Sequence, residues 1–135
     1  IAKYAADIGA KVFCCELQAQ HCETLRQDDR LIVHEADFLQ LAVDAIRPVD
    51  FVLMNPPFTA GQCQRHVRHA FEFLRPGGRL IAVMPSNLGE RNSKESKQFM
   101  SWIAEQGYET SAILVDAFRE EGTRISTCLV TIDKR

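Results

Sequence analysis

Apolar positions along this chain change their spacing several times, and each change marks an element. Ile1, Tyr4, Ala5 and Ile8 follow i, i+3, i+4, i+7 spacing, which predicts a helix closed by Gly9. Lys11-Val12-Phe13-Cys14-Cys15 is then a short buried strand that ends at Glu16. Leu17 to Gln27 has helical composition, Gln27-Asp28-Asp29-Arg30 is a turn, and Leu31-Ile32-Val33-His34 is a second buried strand. Glu35-Ala36-Asp37-Phe38 follows as a loop, and Leu41 to Ile46 can form a short helix that must stop before Pro48. Phe51-Val52-Leu53-Met54 reads as a strand buried on both faces, cut off by Asn55-Pro56-Pro57-Phe58.

After the loop Thr59-Ala60-Gly61, Val67, Ala70, Phe71 and Leu74 form one stripe of a helix, which Pro76-Gly77-Gly78 ends. Arg79 to Met84 is a fourth continuous strand, stopped by Pro85, and the polar run Ser86 to Lys94 is a loop. A helix from Glu95 to Gln106 carries Phe99, Trp102 and Ile103 as core residues and is capped by Gly107. Two last strands, Glu109 to Val115 and Arg124 to Ile132, are expected to pair antiparallel around Glu120-Glu121-Gly122-Thr123. Strands separated by helices specify parallel βαβ units, so the expected fold is α/β and doubly wound. Ligands of such sheets bind beyond the carboxyl ends of the strands, a rule that selects Glu16, Asp37 and Asn55 to Phe58.

Composition narrows the class. A chain of 135 residues, 46% hydrophobic and 25% charged, is expected to form one globular domain, residues 1–135, and not a disordered segment. Its 16 basic and 18 acidic residues give a net charge of −2, so any nucleic-acid contact must be local. Five cysteines without a CxxC pair point to thiols in a reducing compartment. With neither a signal peptide nor an apolar run of membrane-spanning length, the expected location is cytoplasmic. The chain opens on Ile1 inside a helical stripe with no N-cap residue before it, which suggests that upstream sequence is missing.

Glu16, directly after a strand, can accept hydrogen bonds from the vicinal hydroxyls of a ribose, or can be a solvated loop acid. Asp37 can accept from an exocyclic amine, with Phe38 placed to pack on an adenine ring. Asn55-Pro56-Pro57-Phe58 is more informative, because one chemistry accounts for each residue type. An amine on an aromatic ring or an amide is a poor nucleophile, since its lone pair is delocalised. Two acceptors that take both N–H hydrogens, the Asn55 side-chain oxygen and the Pro56 carbonyl, draw the nitrogen toward tetrahedral geometry and stabilise the positive charge growing there. Pro57 stiffens the turn that fixes their spacing, and Phe58 can stack on a planar substrate.

In these residues the chain resembles class I S-adenosylmethionine-dependent methyltransferases of the amino-methylating group, whose motif is (Asp/Asn/Ser)-Pro-Pro-(Tyr/Phe). The resemblance extends to Glu16, Asp37-Phe38, the Arg75-Pro76-Gly77-Gly78-Arg79 turn and the closing Gly122-Thr123-Arg124-Ile125-Ser126-Thr127. It implies a Rossmann-like sheet, mostly parallel with an antiparallel last strand, and S-adenosylmethionine as cofactor. Glu16 would then face the cofactor ribose, Asp37 and Phe38 its adenine, and Asn55 would border both cofactor and target. Asn55, Pro56, Pro57 and Phe58 would be the catalytic set. The family's first strand and GxG loop are absent, since none of the seven glycines forms GxG. The fold is therefore expected to be N-terminally truncated, with open edges on the strands ending at Glu16 and at Asn55, edges along which the chain could self-associate.

The Asn form of the motif is shared by adenine-N6 methyltransferases of DNA or RNA and by protein glutamine-N5 methyltransferases. The run from Asn55 to Gln62, followed by His66-Val67, is more similar to DNA-adenine enzymes, whose target base is flipped out of the duplex. A degenerate, non-catalytic domain of the same fold is the alternative of a different class. Arg65, Arg68, Arg75 and Arg79 with His66 and His69 form either a phosphate-contacting cluster or a solvated helix face. His66 and His69 have no third ligand of suitable spacing, so no metal site is expected. The loop Gly89 to Lys94 is a candidate substrate contact, and Ser86 lacks the context of a hydrolase nucleophile.

Overall fold

The computed structural model describes residues 1–88, 93–112 and 126–135. They divide into two compact units, Ile1–Ala45 and Ile46–Arg135.

The first unit runs α1 (Ala2–Asp7), β1 (Val12–Glu16), α2 (Ala19–Arg26) and β2 (Leu31–Glu35), followed by 3-10 turns at Phe38–Gln40 and Val43–Ala45. β1 and β2 are parallel, from Val12 opposite Leu31 to Glu16 opposite Glu35, with α2 as the crossover that parallel neighbours require. Helix α1 forms where its stripe predicts, yet Ile1, Tyr4 and Ile8 are 70–76% exposed and Ala6 is its buried residue. Strand β1 is half-buried along its whole length, not fully buried, because among the described strands it pairs with β2 alone. The expected helix from Leu41 to Ile46 is replaced by the 3-10 turn Val43–Ala45, and the other 3-10 turn, Phe38–Gln40, comes before it. Asp37 caps the first turn by accepting the Leu39 N–H at 3.0 Å, and the short span left before Pro48 suits a 3-10 turn better than an i→i+4 ladder.

The second unit runs β3 (Val49–Met54), a 3-10 turn (Thr59–Gly61), α3 (Gln62–Glu72), β4 (Leu74–Pro85), α4 (Lys94–Gln106), β5 (Tyr108–Ala112) and β6 (Thr127–Asp133). Its sheet order is β3-β4-β6-β5, with β3 parallel to β4 and β6 antiparallel to both β4 and β5. The antiparallel closing strands match expectation, while the Glu120 to Thr123 turn lies outside the described residues.

Pro76-Gly77-Gly78 does not follow α3 as a terminating turn; it lies inside β4. The β3–β4 register runs from Val49 opposite Leu74 to Phe51 opposite Arg79, so Arg75 to Gly78 bulge out against Asp50. The bulge is held by Gly77 N–H to Lys134 O at 2.7 Å, Lys134 N–H to Gly78 O at 2.9 Å, and an Arg75–Asp50 ion pair. Gly77 takes φ +77°, and a Cβ on Gly78 would lie 2.9 Å from the Arg75 carbonyl oxygen.

The core of this unit joins Val67 and Phe71 of α3, Leu80 and Met84 of β4, Phe99 and Ile103 of α4, and Val130 and Ile132 of β6. Strand β3 departs from the sequence reading. Phe51 and Leu53 are 64% and 47% exposed, so one of its faces is uncovered, and among the described strands it pairs with β4 alone. A continuous apolar run states that both faces tolerate burial, not that both receive it. Among the described strands, those ending at Glu16 and Asn55 therefore each keep one unpaired edge within their own unit, as expected. Trp102, expected in the core, is half-buried, packed edge-on against Phe71 at 5.3 Å.

Candidate functional site

In the first unit, Glu16 and Asp37 lie at the same end of a parallel strand pair. Glu16 closes β1 opposite Glu35, and its carbonyl accepts the Ala36 N–H at 3.1 Å, so Asp37 and Phe38 follow directly beyond. Glu16 Oε1 accepts the Gln18 N–H at 2.8 Å. Gln18 is the N-cap of α2 and its own side chain does not cap, so the Glu16 carboxylate supplies an acceptor at that helix start. His21 Nδ1 stands 3.7 Å from Oε2, a neighbour that sequence spacing gave no reason to single out. Asp37 commits one oxygen to Leu39 N–H, lies exposed, and precedes a half-buried Phe38. Two carboxylates that each accept a backbone N–H keep further acceptor capacity, the chemistry that hydroxyls or an exocyclic amine would use.

In the second unit, Asn55 follows the last residue of β3, at the carboxyl end of the parallel β3–β4 pair. Asn55 is exposed, Pro56 buried, Pro57 exposed and Phe58 half-buried, so the turn is pinned through Pro56 while Asn55 stays accessible. Two prolines in succession withhold N–H donors and restrict φ, which leaves carbonyl acceptors at fixed spacing. Phe58 leads into the 3-10 turn, and Gly61 at φ +71° starts α3. Downstream, Cys63, Val67, Ala70 and Phe71 bury the helix face.

The basic residues of α3 and β4 do not form one free cluster. Arg75 pairs with Asp50 at 2.6 Å and Arg79 pairs with Asp133, which raises the guanidinium pKa and holds the carboxyl below its usual range. The Arg68 guanidinium lies 5.0 Å from the Trp102 ring centroid and donates to the Gln98 carbonyl at 2.8 Å. His66 Nδ1 is 2.8 Å from the Gln62 carbonyl and His69 packs edge-on against Phe73. Among the described residues no three His, Cys, Asp or Glu side chains are grouped to hold a metal, and no helix is long and apolar enough to cross a membrane. Of the loop Gly89 to Lys94, residues 89–92 lie outside the described residues.

The cysteines are thiols, and burial raises the pKa of Cys14, Cys15, Cys22 and Cys128. Sequence reasoning passed over Gln64, which is 4% exposed and hydrogen-bonded to Ser96. Its place three residues before Val67, on the apolar stripe, is the signal that could have found it.

The Methyltransferase small domain family matches residues 3–110 of the chain. No curated protein matches its sequence. Among solved structures, an rRNA methylase from Streptococcus thermophilus aligns with TM-score 0.60 at 14% identity, over 92% of this chain and 73% of that one. The plantazolicin methyltransferase BpumL, solved in complex with SAH and a pentazolic analog, aligns with TM-score 0.65 at 11% identity, over 98% and 71%. A modification subunit of a putative type I restriction enzyme from Vibrio vulnificus YJ016 aligns with TM-score 0.64 at 13% identity, over 90% of this chain but 32% of that one.

Proposed function

The chain belongs to the methyltransferase small domain family and is an S-adenosylmethionine-dependent methyltransferase, and from that premise we propose that it methylates an sp² amino nitrogen, N6 of adenine in DNA. The observation that carries this reading is the Asn55-Pro56-Pro57-Phe58 turn at the carboxyl end of β3, pinned by a buried Pro56 and presenting an exposed Asn55.

In this reading Glu16 accepts from the ribose hydroxyls of the cofactor, Asp37 accepts from its adenine amine, and Phe38 packs on the ring. When bound, the cofactor would supply a sulfonium methyl, an electrophile whose carbon–sulfur bond breaks to leave a neutral thioether and which needs neither a metal nor a covalent enzyme intermediate. Asn55 Oδ1 and the Pro56 carbonyl accept the two N–H hydrogens of the target amine and turn its lone pair toward the methyl group. Phe58 stacks on the flipped base and keeps it in line, with Pro57 holding ring and acceptors at fixed spacing. As Asn55 is neutral, it orients and polarises, and the proton leaves to solvent after transfer.

The structural likeness to a modification subunit of a restriction enzyme supports a DNA target. The likeness to an rRNA methylase supports adenine in RNA as the second reading. The test is transfer of labelled methyl from S-adenosylmethionine to matched DNA and RNA oligonucleotides, followed by nucleoside analysis. N6-methyladenine in the DNA supports the proposal, the same product only in RNA supports the second reading, and no product in either contradicts both.

A further inference from the structure

A chain of polar side chains, buried at Cys63, Gln64 and Ser96 and reaching the surface at Ser93, runs from the start of α3 to the start of α4. Cys63 Sγ donates to Gln64 Oε1 at 3.2 Å, and Gln64 Nε2 donates to Ser96 Oγ at 3.4 Å. Ser93 Oγ donates to Ser96 Oγ at 3.1 Å and accepts the Ser96 N–H at 3.1 Å, which makes Ser93 the N-cap of α4. Gln64 and Ser96 are 4% and 1% exposed, on helices whose other buried residues include Cys63, Val67 and Phe99. An apolar residue at position 64 would fill this space without the cost of satisfying an amide in the core. The amide therefore calls for an account beyond packing.

Its position supplies one. The Asn55 to Phe58 turn is stiff within itself but joins α3 through Gly61, at φ +71°, and Gly61 gives α3 no side-chain cap. A glycine in the left-handed region is a point where the chain can pivot. A Cβ on Gly61 would meet Gln64 Oε1 at 3.5 Å, an ordinary van der Waals contact, so the amide oxygen lies beside that pivot. One end of the amide thus backs the pivot while the other is tied to the capped start of α4.

We propose that Gln64 is a positioning residue: through Ser96 and the Ser93 cap it holds the Gly61 pivot, and so sets where the Asn55 and Pro56 acceptors stand. The inference rests on the methyl-transfer reading for its kinetic consequence, while its structural consequence can be measured without any substrate. Misplacing reacting groups by about 1 Å can cost ~100-fold in rate, and loss of one anchor among several should cost about tenfold.

The experiment compares the full chain with Gln64→Leu, Ser96→Ala and the double variant, in hydrogen exchange, thermal unfolding, cofactor binding and methyl transfer. Gln64→Leu should speed amide exchange at Gln62, whose N–H donates to the Thr59 carbonyl, about tenfold while β4 amides keep their protection, and should lower kcat about tenfold with KM and cofactor affinity unchanged. The double variant removes both partners, so it should recover Tm without recovering kcat or exchange protection at the turn. Wild-type exchange at the Gln62 amide in Gln64→Leu, or kcat returning together with Tm in the double variant, overturns the positioning role. A wild-type chain that transfers no methyl group, with exchange at the turn still rising in Gln64→Leu, upholds the positioning role and contradicts only the proposed reaction.

Discussion

Glu16 accepts the backbone N–H of Gln18 at 2.8 Å, so the carboxylate proposed to meet the cofactor ribose is held in place by the start of the very helix that follows it. Hydrogen bonds to a charged acceptor are roughly twice as strong as neutral ones, and the charge is the part a diol would use. Glu16→Gln keeps an oxygen for Gln18 N–H and loses the charge. It should weaken S-adenosylmethionine binding about tenfold by calorimetry, equivalent to about 1.4 kcal/mol, with little change in Tm. Unchanged affinity would remove Glu16 from the cofactor site and leave it a helix cap.

Asp28 and Arg30 form a second fixed pair. Arg30 donates to both Asp28 oxygens, at 2.8 and 2.7 Å, and reaches Asp7 of α1 at 2.9 Å. The Arg30 side-chain hydrogen bonds lower the Asp28 carboxyl to about 2. A carboxyl depressed on folding contributes stability that is present above its unfolded pKa, roughly 3.9, and is lost as pH falls toward about 2. Acid unfolding of the wild type should therefore have a component between about pH 4 and pH 2 that Asp28→Asn lacks. Superimposable acid titrations would contradict the pairing.

Gly78→Ala tests the bulge in β4. The added methyl would meet the Arg75 carbonyl oxygen at 2.9 Å and the Asp50 carbonyl oxygen at 3.1 Å, both backbone atoms. Overpacking of this kind costs about 1–3 kcal/mol, to be read from chemical denaturation. An unchanged midpoint would mean that the bulge is looser than described.

Leu53 and Leu80 separate the exposed face of β3 from the core. Leu80→Ala, at 0% exposure, should cost about 3–5 kcal/mol, whereas Leu53→Ala, at 47% exposure, should cost about 1 kcal/mol or less. Equal costs would mean that the β3 face is covered in solution, as by the self-association expected of an open strand edge, which sedimentation would reveal.

Much of the fold was legible in the apolar runs. Val12 to Cys15, Leu31 to His34, Phe51 to Met54 and Arg79 to Met84 all lie in strands, because a short continuous run bounded by turn residues has few other solutions. Helix α4 was legible too, ended by Gly107 at φ +75°. What lay beyond reach was coverage and register. Nothing in Phe51 to Met54 tells which strand or helix will lie against it, so the exposure of Phe51 and Leu53 could not be read. Pro76-Gly77-Gly78 looks like a terminating turn locally, and its inclusion in β4 depends on Lys134, more than fifty residues away in sequence. For the candidate site, strand ends selected Glu16, Asp37 and Asn55, whereas the Gln64–Ser96 link depends on two helices meeting.

Asn55 decides the central claim, that this chain activates an amine by accepting its N–H hydrogens. Asn55 is exposed at the end of β3, so Asn55→Ala should leave the fold and Tm unchanged. Removing one preorganised polar group of this kind costs about 100- to 1,000-fold in kcat. The measurement is single-turnover methyl transfer to adenine-containing DNA by wild type and Asn55→Ala, with S-adenosylmethionine affinity determined on both. A kcat loss of about 100-fold or more at nearly unchanged cofactor affinity is the predicted result. Transfer at the wild-type rate by Asn55→Ala would contradict it.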